Sequence, residues 1–292
     1  MKTYAALFYN VFKVRIGLAI MMSALAGIAV MPAVSPAVSL SGWQITVLAL
    51  SVLGSSAAAG AFNHVMERDL DARMKRTRNR PFVTGQLNAG PAWYFGISAL
   101  LAVSVGTAAY VLNGMAALYV FLGAFVYGVV YTVWLKRKTV WNIVVGGLSG
   151  SFAVLAGAAA VDPALSAQAL VLAVVLFLWT PPHFWSLAAA LSEDYACAGV
   201  PMLPVVVGPK KAARIILINT VLLVGLSMAP VAYGLGWLYW AGAGIGGTYF
   251  LYRSLQYAAD PTPAKAMKNF FASLIQLSLL VLGALAGALT GI

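Results

Sequence analysis

The chain has 292 residues, 62% of them hydrophobic and only 9% charged, yet it carries a formal charge of +11 at neutral pH. With a mean hydropathy of +0.90, this composition excludes an ordinary soluble domain. The single cysteine, Cys197, excludes an internal disulfide and a cysteine-built metal cluster.

Apolar stretches long enough to cross a bilayer recur from end to end. No run of short alternating segments suggests a β-barrel. The expected fold is therefore all-α: one polytopic membrane domain over residues 1–292, with about nine transmembrane helices. In chain order the spans fall near 16–36, 43–62, 91–112, 115–135, 142–161, 167–187, 213–233, 236–254 and 270–290. The short link from Gly234 to Gly236 predicts a tight antiparallel pair of the seventh and eighth. No small-residue cleavage site ends a short apolar region near the N-terminus, so the first span reads as retained rather than as a signal peptide.

Placing the N-terminus in the cytoplasm puts all 18 Lys and Arg residues on the inner side or at inner span ends. They lie within 2–15, 68–80, 136–138, 210–214 and 253–268, and the connections near 37–42, 113–114, 162–166 and 234–235 have none. This asymmetry follows the positive-inside rule, and nine spans then leave the C-terminus outside. Much of the positive charge is thus topological, which removes the argument for a nucleic-acid partner. Lys136 to Lys138 and the pair Lys210 and Lys211 suit orientation and contact with anionic membrane lipid.

The run from Asn63 to Pro81 departs from that pattern, because Glu67, Asp69 and Asp71 are interleaved with six cations. Spacings of four place Asn63, Glu67 and Asp71 along one helical face, drifting roughly 40° per step over about 12 Å. Such a row of oxygen donors suits Mg²⁺, which commonly keeps phosphate among its ligands. The arginines that follow suit the phosphate. These features point to a diphosphate site at a membrane surface.

Further along, Tyr127, Tyr131 and Trp134 follow an i, i+4, i+7 pattern and are expected to share a face. They form either a packing belt or a wall that stabilises a cation. In the sixth span, Pro181 and Pro182 are expected to bend or break the helix just before His183. That histidine, flanked by Phe184, is either functional or a hydrogen-bonded group closing the break. The next loop offers Glu193, Asp194 and Tyr195. Asp194 either complements the first acidic row or is a solvated loop acid. The apolar stretch from Gly199 to Pro204 is a candidate lid over the cavity.

Together these motifs resemble the UbiA superfamily of intramembrane prenyltransferases. Its first acidic motif, Asn-x-x-x-Asp-x-x-x-Asp, is matched by Asn63, Glu67 and Asp71, with Glu in the first acidic place. The finer pattern from Asp69 to Pro81, from Tyr131 to Gly147, and from Pro182 to Pro204 resembles the branch that farnesylates haem. Asp194 is followed four residues later by Ala198, so the second paired-acid motif of the branches acting on phenolic acceptors is missing. The resemblance implies transfer of farnesyl from farnesyl diphosphate to a vinyl group of haem b, with addition of water. It implies Mg²⁺ on Asn63, Glu67, Asp71 and Asp194, and diphosphate contacts from Arg76, Arg80, Arg78 and Lys136. Asn63, Glu67, Asp71 and His183 are the implied catalytic set, and Tyr127, Tyr131, Trp134, Phe184 and Tyr195 are candidates for the cavity or its lid. A bacterial inner-membrane setting with the site facing the cytoplasm is expected, with partners in haem metabolism or terminal oxidase assembly. The alternative is an enzyme of the same superfamily that prenylates an aromatic quinone precursor. A transporter is disfavoured, because nearly all the ionisable groups lie at one face rather than at mid-membrane.

Overall fold

The computed structural model describes residues 4–31 and 40–291. Lys2, residues 32–36 of the first expected span and residues 37–39 of the first outer connection lie outside the described residues. The described chain is helical, without strands. Two short helices, α1 (Tyr4–Val11) and α2 (Val14–Ala29), are followed by α3 (Gly42–Met66), the brief α4 (Arg68–Arg73), α5 (Pro91–Val111) and α6 (Gly114–Phe125). A π-helical segment, Val126–Leu135, continues α6. Then come α7 (Asn142–Gly146), α8 (Leu148–Val161), α9 (Ala167–Ala190), α10 (Ser192–Cys197), α11 (Leu203–Val207), α12 (Pro209–Ser227), α13 (Trp237–Ala259) and α14 (Pro263–Thr290).

Seven of these units are long and apolar enough to cross a membrane, and α1 with α2, bent by 49°, makes an eighth. The eighth expected span corresponds to α13, which has the length at 23 residues. It carries Arg253 and falls short of the other spans in hydropathy. The link between the seventh and eighth expected spans is longer than two glycines suggest. Pro230 turns the chain into a 3-10 stretch, Ala229–Tyr233, and Gly234 then reverses it at φ 92°, a conformation that favours glycine.

Close helix contact organises the first half of the bundle. A Cβ on Gly157 of α8 would overlap the carbonyl oxygen of Ala24 on α2, and one on Gly27 would overlap the carbonyl of Val154. The two backbones therefore touch, as small residues permit in membranes. The second half is tied by a buried polar chain: Asn269 donates to Ser186 at 2.9 Å, and Ser254 reaches Asn269 at 2.9 Å and Thr220 at 3.1 Å. This chain joins α9, α12, α13 and α14 where no water competes.

Helix α9 runs unbroken through Pro181 and Pro182, contrary to the expected break. Proline removes two backbone donors, but Thr180 and Ser186 side chains donate to the carbonyls of Leu176 and Pro182, at 3.0 and 2.5 Å. Hydroxyls bonding back to carbonyls help transmembrane helices tolerate proline. His183 is therefore an interior helical residue rather than a loop residue.

Candidate active site

The acidic row straddles a one-residue junction. α3 ends at Met66, Glu67 leaves helical geometry at φ −99° and ψ 14°, and α4 restarts at Arg68. The i to i+4 backbone bonds nevertheless continue, from Glu67 N–H to Asn63 at 3.0 Å and from Asp71 N–H to Glu67 at 2.8 Å. Asn63, Glu67 and Asp71 are all buried.

Each of the three has a cation against it. Lys13 Nζ donates to Asn63 Oδ1 at 2.5 Å and to the Tyr127 hydroxyl at 2.8 Å. Lys136 Nζ lies 2.6 Å from Glu67 Oε2, and Arg80 lies 2.6 Å from Asp71 Oδ2. The loop is bent back to make the last pair possible, because the buried Thr77 hydroxyl donates to the Asp71 carbonyl at 3.1 Å. Asp194, also buried, accepts the backbone N–H of Arg76 at 3.3 Å, which joins the second loop to the first. The side chains of Arg76 and Arg78 are exposed at the rim, as is Glu193.

Asp69 points away from this group, to the surface, where Arg137 grips it at 2.6 and 2.7 Å. The Arg137 hydrogen bond holds its carboxyl below the usual aspartate range. The same pairing raises the guanidinium of Arg137.

Beneath the acids, Tyr127 and Tyr131 stack with centroids 5.6 Å apart, and Lys136 Nζ lies 5.6 Å from the Tyr131 ring. Trp134 does not extend that stack. It is exposed and meets Phe125 edge-on at 6.0 Å. The reason is the π-helical winding, whose i to i+5 bonding shifts the phase so that a seven-residue spacing no longer returns to one face. The same winding lets Thr132 donate to the Tyr127 carbonyl at 2.8 Å while it accepts from Asn63 Nδ2 at 3.0 Å.

The second loop packs rather than hangs free. Tyr195, Val200, Met202 and Leu203 are buried with Leu70, Met74 and Trp185 in one apolar cluster. The expected lid is thus a wall that closes the site from the side of α9. His183 lies deeper, its ring between Trp179 at 4.1 Å and Phe270 at 4.5 Å, with Phe184 edge-on at 4.8 Å.

Lys13, Thr132 and Arg137 belong to the site or its rim, yet sequence reasoning passed over them. Lys13 looks like a topological lysine before a hydrophobic run, and its partner Asn63 is 50 residues away. Its backbone offers a sign: φ is 49°, a left-handed conformation uncommon for a side-chain-bearing residue. Such strain persists where the surroundings hold it, here through the ammonium.

The residues fit a magnesium ion. The donors are all oxygens, as that ion prefers. Glu67 Oε1 is buried and has no hydrogen-bond partner, an acceptor left open within the site. No three His, Cys, Asp or Glu among the described residues gather closely enough to cage an ion by themselves. That suits Mg²⁺, which is commonly held by one or two carboxylates together with substrate phosphate and water.

The helical membrane bundle with buried acids and their counter-cations at one end is that of a prenyltransferase by family: the chain belongs to the UbiA prenyltransferase family, whose model matches residues 20–275. Within that family its similarity is to the protoheme IX farnesyltransferases. It is 58% identical to protoheme IX farnesyltransferase 2 of Paramagnetospirillum magneticum, covering 93% of both chains. It is 46% identical to protoheme IX farnesyltransferase 1 of the same organism, covering 96% of this chain and 97% of the relative. The fold also matches a UbiA homolog from Archaeoglobus fulgidus solved with DMAPP and Mg²⁺. That match has a TM-score of 0.69 and 17% identity over 96% of this chain and 99% of the other.

Proposed function

We propose that this enzyme transfers farnesyl from farnesyl diphosphate to a vinyl group of haem b and adds water, giving haem O. The observation that carries the reading is the buried row of Asn63, Glu67 and Asp71, each already matched to a cation, in a chain 58% identical to a protoheme IX farnesyltransferase. Nothing in the site favours the quinone-precursor alternative.

Asn63, Glu67, Asp71 and Asp194 would hold Mg²⁺, which supplies neutralisation of the diphosphate as negative charge develops on it. On substrate binding Lys13, Arg80 and Lys136 would leave Asn63, Asp71 and Glu67 and turn to the phosphate oxygens, which would free those oxygen donors to hold the ion. Arg76 and Arg78, at the rim, approach the diphosphate from the water side. Donors aimed at the leaving group in a dry site are worth far more than in water. The allylic C–O bond breaks, diphosphate leaves with the electron pair, and the vinyl carbon bonds to the farnesyl head. Water then bonds to the adjacent carbon and loses a proton. Tyr127 and Tyr131 present aromatic surface below the acids, suited to the passing allylic cation. The apolar wall formed by Leu70, Met74, Tyr195 and Met202 keeps stray water from quenching it.

The positive-inside pattern supports a bacterial inner membrane with this end of the bundle cytoplasmic. The test is mass analysis of haem extracted after incubating the purified enzyme with haem b, farnesyl diphosphate and Mg²⁺. A haem heavier by farnesyl plus water, lost on chelation, is expected. Unchanged haem with a phenolic acid prenylated in parallel would move the enzyme to the quinone branch.

A further inference from the structure

We propose that the outward face of α13 holds one anionic phospholipid, with its phosphate on Arg253 and an acyl chain in the groove that runs from there toward Trp240. Arg253 lies within about two turns of the end of α13 at Ala259. It is partly buried, and none of the ion pairs among the described residues includes it. A cation at membrane depth without a counter-charge is costly, and it marks a place where an anion is gained.

The side chain is held in one place by neutral groups. Its guanidinium carbon lies 5.2 Å from the ring centroid of Tyr249 and 5.5 Å from that of Tyr252. Nε donates to the Tyr249 hydroxyl at 3.2 Å, and Nη1 donates to Gln256 Oε1 at 2.9 Å. Gln256 Nε2 in turn donates to the Tyr252 hydroxyl at 2.7 Å. Gln256 is one turn nearer the helix end, so the head reaches toward the interface while its stem stays along the apolar face. Nη2 makes no hydrogen bond to the described residues. The edge formed by the two terminal nitrogens is the one that arginine offers to phosphate.

The apolar part of the site continues along the same face. Trp240, Gly244, Ile245, Thr248, Tyr249 and Tyr252 line a groove of about 660 Å³. A Cβ on Gly244 would meet nothing within 4 Å, so the missing side chain leaves a notch that no other part of the described chain fills. Trp240, Ile245 and Tyr252 stand around it, each more than half exposed. From Arg253 to Trp240 the helix rises roughly 20 Å, enough to accompany an acyl chain through one leaflet, about half of a 30 Å hydrocarbon core. A pinned cation at the head of a trough of that length matches an anionic phospholipid in both charge and shape.

A second copy of the chain fits this face less well. Two copies inserted the same way are related by an axis along the membrane normal, so identical faces meet at one depth. That arrangement sets the two Arg253 guanidiniums against each other, where repulsion is poorly screened.

The experiment is native mass spectrometry of the purified full-length protein, titrated in detergent with phosphatidylglycerol and, separately, with phosphatidylcholine of the same acyl chains. Wild type should hold one phosphatidylglycerol at least about 10-fold more tightly than phosphatidylcholine. Arg253→Gln should lose that preference and bind phosphatidylcholine as wild type does. Gly244→Leu, whose side chain enters open space, should weaken both lipids by roughly 10-fold. Lys210→Gln combined with Lys211→Gln, which removes exposed cations elsewhere, should keep the preference. No preference in wild type, or one unchanged in Arg253→Gln, would overturn the assignment. So would a wild-type dimer that Gly244→Leu converts to monomer, because a second copy would then cover the groove.

Discussion

Lys136 and Glu67 are 69 residues apart in sequence and 2.6 Å apart in space, with Glu67 nearly inaccessible and its second oxygen unpartnered. The pair gives a carboxylate buried in a membrane protein one counter-cation while leaving its other oxygen open. Removing one partner of a buried pair leaves an uncompensated charge, which destabilises by about 3–5 kcal/mol. Lys136→Met should therefore lower the unfolding midpoint markedly. Mg²⁺ with a prenyl diphosphate should recover part of the loss by binding only the folded form. Thermal unfolding followed with and without those ligands checks both statements.

Lys13 should matter to the substrate and not only to topology. A charge-assisted hydrogen bond contributes about 1.5–3 kcal/mol, which corresponds to roughly 10- to 100-fold in rate or affinity. Lys13→Met is expected to lower kcat/KM for the prenyl diphosphate within that range. Arg15→Met, at the exposed start of the same span, should leave it unchanged. Steady-state kinetics on both variants separates a site role from an orienting one.

The Asp69 and Arg137 pair behaves differently, because both side chains are about half exposed. Its carboxyl is held below the ordinary value of 3.8 in the folded protein. The stabilisation is therefore fully present above that value and is lost as pH falls through the lowered one. Solvent screening limits it to about 1 kcal/mol or less. Arg137→Gln should cost that little at neutral pH, and the difference from wild type should disappear in strong acid. Unfolding midpoints across the acid range read this directly.

Gly157 makes a structural prediction that leaves the site intact. With the Ala24 carbonyl where its Cβ would stand, Gly157→Val must push α2 and α8 apart. Overpacking of this kind destabilises by about 1–3 kcal/mol or more. A lower unfolding midpoint is expected, with unchanged prenyl diphosphate binding per folded molecule.

The membrane bundle and the acidic row were legible because each rests on short-range regularity. Long apolar runs mark the spans, and a spacing of four survives the junction at Glu67, since the backbone bonds continue across it. The cations opposite the acids were only partly legible. Arg80 is nine residues from Asp71, but Lys13 is 50 residues from Asn63, and no local pattern links them. The π-helical turn that separates Trp134 from the tyrosines leaves no mark in residue types. The passage of α9 through Pro181 and Pro182 was hidden for a related reason. Proline propensity is local, whereas the bonds that offset it come from Thr180, Ser186 and the packing of neighbouring helices.

The most direct measurement is diphosphate release from farnesyl diphosphate by purified wild type and by Glu67→Gln, each with haem b and Mg²⁺. Wild type should release diphosphate only when the ion is present. Glu67→Gln should be slower by about 100-fold or more while remaining folded and monodisperse. Equal release by the two proteins would show that the buried acidic row is not where the C–O bond breaks.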